Sequence, residues 1–204
     1  MKRIAILGST GSIGRSALSV VASHKDRVQV VGLAAGQNVD LFAQQVHQFK
    51  PTVVSLASLE AVERLRGSGV LGQTVVAHGE DGLTEVATHP NVDLVLCASS
   101  GTAALGATLA AIEAGKTIAL ANKEVLVMAG SIMVEAARRY GAKILPVDSE
   151  HNAIYQCVDR RTCDVVRYVL TASGGPFRER KIEEFDSVTP EEALQHPTWS
   201  MGPK

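Results

Sequence analysis

Short apolar runs rich in β-branched residues alternate along the chain with longer segments whose apolar residues recur every three to four positions. The first pattern predicts buried strands, and the second predicts amphipathic helices. The predicted strands cover residues 3–7, 28–33, 52–56, 74–77, 93–97, 117–120 and 143–147. The predicted helices cover residues 14–24, 39–49, 59–66, 82–88, 103–114 and 125–140. Strands separated by helices at this spacing are typical of an α/β domain with a parallel sheet.

Right-handed crossovers between such strands lead to a doubly wound, Rossmann-like fold with helices on both faces of the sheet. The alternation stops at Pro146, so we expect one domain at residues 1–146 and a second region at 147–204. The second region offers helices near 153–158 and from residue 190, one strand near 165–173 and a Gly-Gly-Pro turn. Because one strand is too little to bury a core, we expect the truncated start of an α+β domain.

Composition limits the classes of function that remain. The formal net charge is -1, with 20 basic and 21 acidic residues scattered along the chain, which argues against nucleic-acid binding. No apolar run reaches the roughly 20 residues that span a bilayer, and a first strand at Arg3 leaves no room for a signal peptide. The three cysteines have no CxxC spacing, so we expect no disulfide and no zinc site. We therefore expect a cytoplasmic protein without membrane or nucleic-acid partners.

A glycine-rich loop lies between the first strand and the first helix. Gly8, Gly11 and Gly14 form a GxxGxxG sequence there. Glycines at these places allow a tight turn, close approach of the backbone to a pyrophosphate, and anion binding at the helix start. This position predicts a dinucleotide-binding loop, the alternative being an ordinary tight turn.

The residues after the second strand indicate which dinucleotide is bound. Many NAD-binding proteins place an Asp or Glu there to hold the ribose hydroxyls, whereas residues 34–38 contain no carboxylate. A carboxylate would repel a 2′-phosphate, so its absence favours NADPH. Neither Arg nor Lys stands in this segment to add a positive charge.

Charged side chains follow two later strands. Lys123 and Glu124 come after the strand at 117–120, where Lys123 could hold a substrate oxygen or orient a nicotinamide; alternatively, both belong to a solvated first helical turn. Asp148 and Glu150 are two residues apart, so on an extended segment both would face one side and suit Mg²⁺ or Mn²⁺. Two carboxylates need a third group to hold such an ion. The alternative is a helix that begins near Asn152 and is capped by Asp148 or Ser149. In either case His151 would support the ligands or the fold rather than bind the ion.

Two further segments lie near the carboxyl end of the sequence. The hydroxyl-rich turn at 171–177 could donate hydrogen bonds to a phosphate, although a plain turn explains it equally well. The segment at 196–202 holds the one tryptophan, Trp199, together with Met201. It could form a lid over a ligand or anchor the chain to a core.

Five segments in this order resemble the 1-deoxy-D-xylulose 5-phosphate reductoisomerase family along the whole chain: GSTGSIG, AGKTIALANKE, PVDSEHNAI, TASGGPFR and HPTWSMGPK. The resemblance implies NADPH-dependent isomerisation and reduction of 1-deoxy-D-xylulose 5-phosphate to 2-C-methyl-D-erythritol 4-phosphate in non-mevalonate isoprenoid biosynthesis. It also implies a divalent metal (Mn²⁺, Mg²⁺ or Co²⁺) that acts as a Lewis acid, a small sugar phosphate as substrate, and a homodimer at full length. Residues 147–204 would then begin the metal- and substrate-binding catalytic domain.

The resemblance also implies roles for individual residues. Asp148 and Glu150 resemble metal ligands, and the implied catalytic residues are these two with Lys123 and His196. The implied substrate contacts are Lys123, Ser149, Glu150, Ser173 and His196, with Ser173 on the phosphate. The implied cofactor contacts are Thr10, Gly11, Ser12, Ile13, Gly36, Gln37, Asn38, Asn122, Glu124 and Gly202. Trp199 and Met201 resemble parts of a mobile lid.

Two departures from the family qualify this interpretation. Position 37 is Gln, where some members carry a basic residue, so its help with a 2′-phosphate must be uncharged. The family also continues beyond this sequence with a region that holds a third metal carboxylate and most of the phosphate site. We therefore expect this fragment alone to be inactive.

Two other functions are compatible with the same loop. One is a different dehydrogenase, such as a semialdehyde dehydrogenase, which would need a nucleophilic cysteine at a helix start, or a sugar oxidoreductase with an EKP-type turn. The other is a nucleotide-binding module without catalysis.

Overall fold

The computed structural model describes residues 1–158 and 162–198. Seven strands form: β1 Lys2–Leu7, β2 Val28–Ala35, β3 Val53–Leu56, β4 Val75–His78, β5 Leu94–Cys97, β6 Thr117–Leu120 and β7 Ile144–Pro146. Eight α-helices form in the described residues: α1 Ser12–Ser23, α2 Val39–Phe49, α3 Leu59–Gly67, α4 Gly79–Thr88, α5 Leu105–Glu113, α6 Glu124–Tyr140, α7 Ser149–Val158 and α8 Pro190–Ala193. Three 3₁₀ turns complete the description: Thr162–Asp164, Gly175–Phe177 and Ile182–Ser187.

The seven strands form a single parallel sheet in the order β4-β3-β2-β1-β5-β6-β7. The order reverses between β1 and β5, so the chain winds first toward one edge of the sheet and then toward the other. This is the doubly wound α/β arrangement that strand–helix alternation predicts, and that prediction is confirmed. In such sheets ligands bind outside the carboxyl ends of the strands, near the point of reversal.

Two apolar cores lie on opposite faces of the sheet. Successive residues of β1 divide between them: Ile4 and Ile6 belong to one core, while Ala5 and Leu7 belong to the other. The Ile6 core includes side chains of α1, α2 and α3, and the Leu7 core includes side chains of α4, α5 and α6. Because both faces are covered, the strands are mostly apolar, and most polar groups lie at their ends and in the loops.

The chain divides into two compact units, Met1–Asn152 and Ala153–Lys204. In the second unit, Phe177 and Phe185 pack with ring centroids 5.6 Å apart. Arg180 donates hydrogen bonds to both carboxylate oxygens of Glu192, at 3.3 and 3.1 Å. Within residues 1–158 and 162–198 no helix is long and apolar enough to cross a membrane.

Two expectations about the second region are wrong. Residues 165–173 form no strand, and the side chains of Val166, Val169 and Leu170 are exposed. A strand is stabilised by hydrogen bonds to a neighbour, and no described residue of the second unit lies in a strand that could supply them. Helix α7 begins at Ser149 rather than near residue 153, because the polar segment at 149–152 forms its first turn.

An ion pair ties the start of β1 to the start of β5. Asp93 accepts hydrogen bonds from the Arg3 guanidinium at 2.7 and 3.2 Å and from the Arg3 backbone N–H at 2.9 Å. These side-chain and backbone hydrogen bonds hold the pKa of the Asp93 carboxyl well below its usual value, against a smaller opposing effect of burial. The ionised carboxylate therefore stabilises the folded sheet.

We predict that Asp93→Asn lowers the melting temperature by a few degrees at neutral pH. A carboxyl whose pKa is lower in the folded than in the unfolded chain stabilises the fold above its unfolded pKa of about 4 and loses that contribution as the pH falls further. The difference between the variant and the wild type should therefore shrink below about pH 4. Thermal and urea unfolding across this pH range measure it, with the exposed Asp26→Asn as control. Equal stability of Asp93→Asn and wild type at neutral pH would contradict the prediction.

Candidate active site at the carboxyl edge of the sheet

Five neighbouring strands end at one edge of the sheet, and their following loops carry most of the residues singled out in the sequence. In spatial order these strands are β2, β1, β5, β6 and β7. The glycine loop follows β1, residues 36–38 follow β2, Lys123 follows β6 and Asp148 follows β7. Parallel pairing therefore collects groups that are far apart in the sequence at a single edge.

The glycine loop packs too tightly for side chains at two of its three glycines. A Cβ at Gly8, which has φ +91°, would lie 2.6 Å from the backbone nitrogen of Ser99. A Cβ at Gly14 would clash with the carbonyl oxygen of Gly8 and lie 2.6 Å from the Cα of Ser9. At Gly11 the nearest atom, the Gly8 oxygen, would be 3.3 Å away. Gly8 and Gly14 are thus required by the fold, whereas a side chain at the exposed Gly11 would make only a tight contact with the loop backbone.

The outer side of this loop presents backbone groups to solvent. Gly11, Ser12 and Ile13 are exposed, and Gly11 is the N-cap of α1 without a side-chain hydrogen bond. The first N–H groups of a helix have no partner within the helix, and its dipole favours negative charge there. The loop can therefore bind a phosphate through its backbone, as the glycine spacing predicts.

Residues 36–38 form the end of the site nearest β2. All three are exposed, and a Cβ at Gly36 would meet no atom within 4 Å. The Asn38 side-chain oxygen accepts a hydrogen bond from the Leu41 N–H at 3.2 Å and so caps α2. The segment is open to a ligand and carries no charge of its own.

Asn122 is buried, and both ends of its amide are engaged. Its Nδ2 donates to the Gly101 carbonyl at 2.7 Å, and its Oδ1 accepts from the Val125 N–H at 3.3 Å. Its backbone N–H donates to the Cys97 carbonyl at 3.1 Å. Asn122 thus holds the loop after β5 against the start of α6. Neighbouring Glu124 is the first residue of that helix.

An ion pair joins the loops after β6 and β7. Lys123 Nζ donates to Asp148 Oδ2 at 2.8 Å. The Lys123 side chain is 47% exposed, and that of Asp148 is 11% exposed. Hydrogen bonding to Asp148 and the charge of Asp148 raise the pKa of Lys123. Burial alone would raise the pKa of Asp148, but the hydrogen bond and charge of Lys123 outweigh it, so that this pKa lies below its usual value.

The carboxylates of Asp148 and Glu150 lie at a helix start rather than on an extended segment. Asp148 directly precedes α7, and its backbone oxygen accepts from the Asn152 N–H at 2.8 Å. The premise of an extended segment is therefore wrong, and the alternative of a helix start is correct, with the helix beginning at Ser149. Glu150 Oε2 accepts from the Ser149 hydroxyl at 2.8 Å.

One buried oxygen at this helix start is only weakly satisfied. Asp148 Oδ1 is buried, makes no hydrogen bond of good geometry to a described residue, and lies 3.8 Å from His151 Nδ1; the backbone N–H and the charge of His151 also help to lower the pKa of Asp148. A buried anionic oxygen is costly unless a donor or a cation satisfies it, so a metal ion fits this position. Within residues 1–158 and 162–198, however, no cluster of three ligating side chains exists. The described residues thus supply carboxylate oxygens here but no complete ligand set for a metal ion.

In the second unit, Ser173 and His196 come together. The Ser173 hydroxyl lies 3.1 Å from His196 Nε2. Because His196 Nδ1 accepts from the Thr198 N–H at 3.1 Å, the neutral ring carries its proton on Nε2 and donates it to Ser173. Two predicted substrate contacts therefore share one hydrogen bond. Gly202, Trp199 and Met201 lie outside the described residues.

Two polar residues of the site escaped the sequence interpretation. Ser9 and Gln45 are both buried and hydrogen-bonded to each other beneath the glycine loop. The available signal was a glutamine on the apolar face of α2, between Phe42 and Val46.

The cysteines do not favour a semialdehyde dehydrogenase. Cys97 is buried at the end of β5, and burial raises the pKa of its thiol to about 11, against a smaller opposing effect of the Thr108 hydroxyl 3.2 Å away. A thiol with so high a pKa is protonated at neutral pH and is a poor nucleophile. Cys157 and Cys163 are exposed residues of the second unit.

Known proteins match the chain along its whole length. The family described as 1-deoxy-D-xylulose 5-phosphate reductoisomerase matches residues 4–130, and the C-terminal domain of that reductoisomerase matches residues 144–204. Reductoisomerases of this name from Heliobacterium modesticaldum and a Geobacillus species are 51% and 49% identical to it. Both alignments include 100% of this chain, but only 53% and 54% of the relatives, so the chain spans about half their length.

Solved structures give the same result. The reductoisomerase from Zymomonas mobilis in complex with NADPH superposes with a TM-score of 0.90 at 44% identity, over 96% of this chain and 52% of that one. A DOX-P reductoisomerase in complex with NADPH, fosmidomycin and magnesium superposes with a TM-score of 0.87 at 38% identity, over 99% and 52%. Fold and sequence agree, and the chain belongs to the 1-deoxy-D-xylulose 5-phosphate reductoisomerase family.

Proposed function

We propose that this chain supplies the NADPH site and part of the metal and substrate site of a 1-deoxy-D-xylulose 5-phosphate reductoisomerase. The reaction is the NADPH-dependent isomerisation and reduction of that sugar phosphate to 2-C-methyl-D-erythritol 4-phosphate. The observation that carries the proposal is the Lys123–Asp148 ion pair on the same sheet edge as the glycine loop, in a chain of this family.

The cofactor would lie along the carboxyl edge, across β2, β1, β5 and β6. Thr10, Gly11, Ser12 and Ile13 would hold the pyrophosphate, and the exposed segment of Gly36, Gln37 and Asn38 the adenosine ribose and its 2′-phosphate. We assign Asn122, Glu124 and, by family position alone, Gly202 as further cofactor contacts. Since both ends of the Asn122 amide are engaged, its contact would come from the backbone. NADPH in two of the relatives' structures supports this choice.

Asp148 and Glu150 would hold a divalent ion such as Mg²⁺, Mn²⁺ or Co²⁺. The weakly satisfied Asp148 Oδ1 supports this assignment, as does the magnesium in related structures. When bound, the ion supplies Lewis-acid polarisation of substrate oxygens. Lys123 keeps Asp148 ionised and oriented, and its partly exposed ammonium can also hold a substrate oxygen.

We propose the sugar phosphate contacts from position and chemistry. Ser149, Glu150 and Lys123 would contact the sugar oxygens, and Ser173 and His196 would act as hydrogen-bonding substrate groups, with Ser173 on the phosphate. Fosmidomycin bound to related proteins supports a small-molecule site.

Residues 1–146 would then be the cofactor domain and 147–204 the start of the catalytic domain. A cytoplasmic location and a homodimer of the whole enzyme belong to the same proposal. Because two carboxylates are too few to hold the divalent ion, we expect no turnover of the sugar phosphate by this chain alone.

The glycine loop provides a first test of this proposal. We predict that Gly11→Ala weakens NADPH binding by at least about 10-fold, because its Cβ would lie 3.3 Å from the Gly8 oxygen and would shift the backbone that faces the phosphate. Its melting temperature should fall by less than that of Gly14→Ala. Gly14→Ala should instead destabilise the fold, since its Cβ would clash with backbone atoms. Fluorescence titration with NADPH and thermal unfolding measure the two effects.

A matched control is Gly106→Ala in α5, where a Cβ meets no atom within 4 Å. It should leave NADPH binding unchanged. Undiminished binding by Gly11→Ala, or no binding by the wild type, would contradict the placement of the nucleotide.

The uncharged residue at position 37 provides a second test. We predict that Gln37→Lys strengthens NADPH binding by about 5- to 10-fold through a charge-assisted hydrogen bond to the 2′-phosphate. Binding of NADH, which lacks that phosphate, should stay the same. Calorimetric titration with both cofactors gives the ratio, and an equal gain for NADH would show that residue 37 lies elsewhere.

A further inference from the structure

Gln45 is a polar side chain on the buried face of α2. It is 5% exposed and lies on the face that carries Phe42 and Val46, both buried in the core. An amide in such surroundings destabilises the fold unless its oxygen and nitrogen are both hydrogen-bonded. An apolar side chain at this position would need no hydrogen bonds, whereas the amide of Gln45 needs a partner for its oxygen and for its nitrogen.

That partner is Ser9 of the glycine loop, which is fully buried. Gln45 Oε1 accepts from the Ser9 hydroxyl at 2.7 Å, and Gln45 Nε2 donates to the Ser9 carbonyl oxygen at 2.9 Å. The Ser9 N–H donates to the Ala34 carbonyl at 2.9 Å. Two hydrogen bonds between the same two residues fix the direction of the Ser9 carbonyl as well as its position.

The direction of this carbonyl determines the direction of the next N–H. A peptide group is planar, and in the trans form its C=O and N–H point in opposite directions; the described chain has no cis peptide. With the Ser9 oxygen drawn inward toward α2, the Thr10 N–H is turned outward. Outward is the side on which Gly11, Ser12 and Ile13 are exposed.

The same helix also shapes the other end of the nucleotide site. Asn38 caps the amino end of α2, directly after Gly36 and Gln37. The Gln45–Ser9 clamp therefore sets the spacing between the glycine loop and the segment at 36–38, two parts of the site that lie on different loops.

We propose that Gln45 is a positioning residue for the dinucleotide: it never touches the ligand, but it aims the Thr10 N–H at the pyrophosphate. This inference rests on the proposed NADPH site. It assigns a binding function to a side chain that the sequence pattern places in the core of the domain.

The test compares Gln45→Met with Gln48→Met. Methionine is close to glutamine in length and helix propensity but cannot form the clamp, and Gln48 is an exposed residue of the same helix. Calorimetry well below the melting temperature gives the dissociation constants of NADPH and of adenosine 2′-monophosphate, which reaches only the segment at 36–38. We expect Gln45→Met to weaken NADPH binding by about 10-fold and to leave adenosine 2′-monophosphate binding unchanged. Gln48→Met should change neither.

A second variant keeps the test decisive if Gln45→Met unfolds. Ser9→Ala removes the hydroxyl but keeps the carbonyl bonded to Gln45 Nε2, so NADPH binding should weaken by about 2- to 3-fold only. Wild-type NADPH affinity in a folded Gln45→Met, or equal losses for both ligands, would overturn the inference. If Gln45→Met unfolds, unchanged NADPH binding by Ser9→Ala, or a loss that adenosine 2′-monophosphate shares, would overturn it. A wild type that binds no NADPH would overturn the proposed function as well, whereas the other outcomes concern Gln45 alone.

Discussion

The close approach of Gly8 to the backbone of Ala98 and Ser99 constrains where a nucleotide can lie in this molecule. It brings the glycine loop against the end of β5, at the point where the strand order reverses. Any side chain at Gly8 would push the loop away from the sheet, and the positive φ at this position adds to that restriction. The outward face of the loop, the start of α1 and the ends of the neighbouring strands all take their positions from this contact.

From that point the site extends in both directions along the sheet edge. Toward β2 it reaches an open, uncharged segment that can accept a ribose phosphate. Toward β6 and β7 it reaches Lys123 and Asp148, whose ion pair holds two loops together. The burial of Asp148 would oppose its ionisation, and the lysine reverses that effect. The result is an ionised carboxylate at the carboxyl edge of the sheet, with one buried oxygen that no described residue bonds in good geometry.

Much of this architecture follows from the sequence because hydrophobic periodicity determines which faces are buried. The seven strands and their parallel direction could be predicted, as could the loops at Gly8, Lys123 and Asp148, since each comes directly after a strand. Local pairing was harder to predict. The Ser9–Gln45 clamp joins residues that are distant in sequence, and no sequence motif near Ser9 or Gln45 indicates that the two are hydrogen-bonded. Residues 149–152 form a helical turn, whereas the sequence suggested either an extended segment or a helix that begins near Asn152. Residues 165–173 have the composition of a strand, but strand formation depends on a neighbour that composition does not reveal.

The most direct test of the account is to locate a cation and a nucleotide together. Crystals of this protein grown with NADPH and Mn²⁺ would show the ion by its anomalous scattering. The account predicts a manganese peak bonded to Asp148 Oδ1, with Glu150 turned toward it, and the pyrophosphate on the outward face of residues 10–13. An ion bound away from both carboxylates, or a nucleotide bound away from the glycine loop, would contradict it.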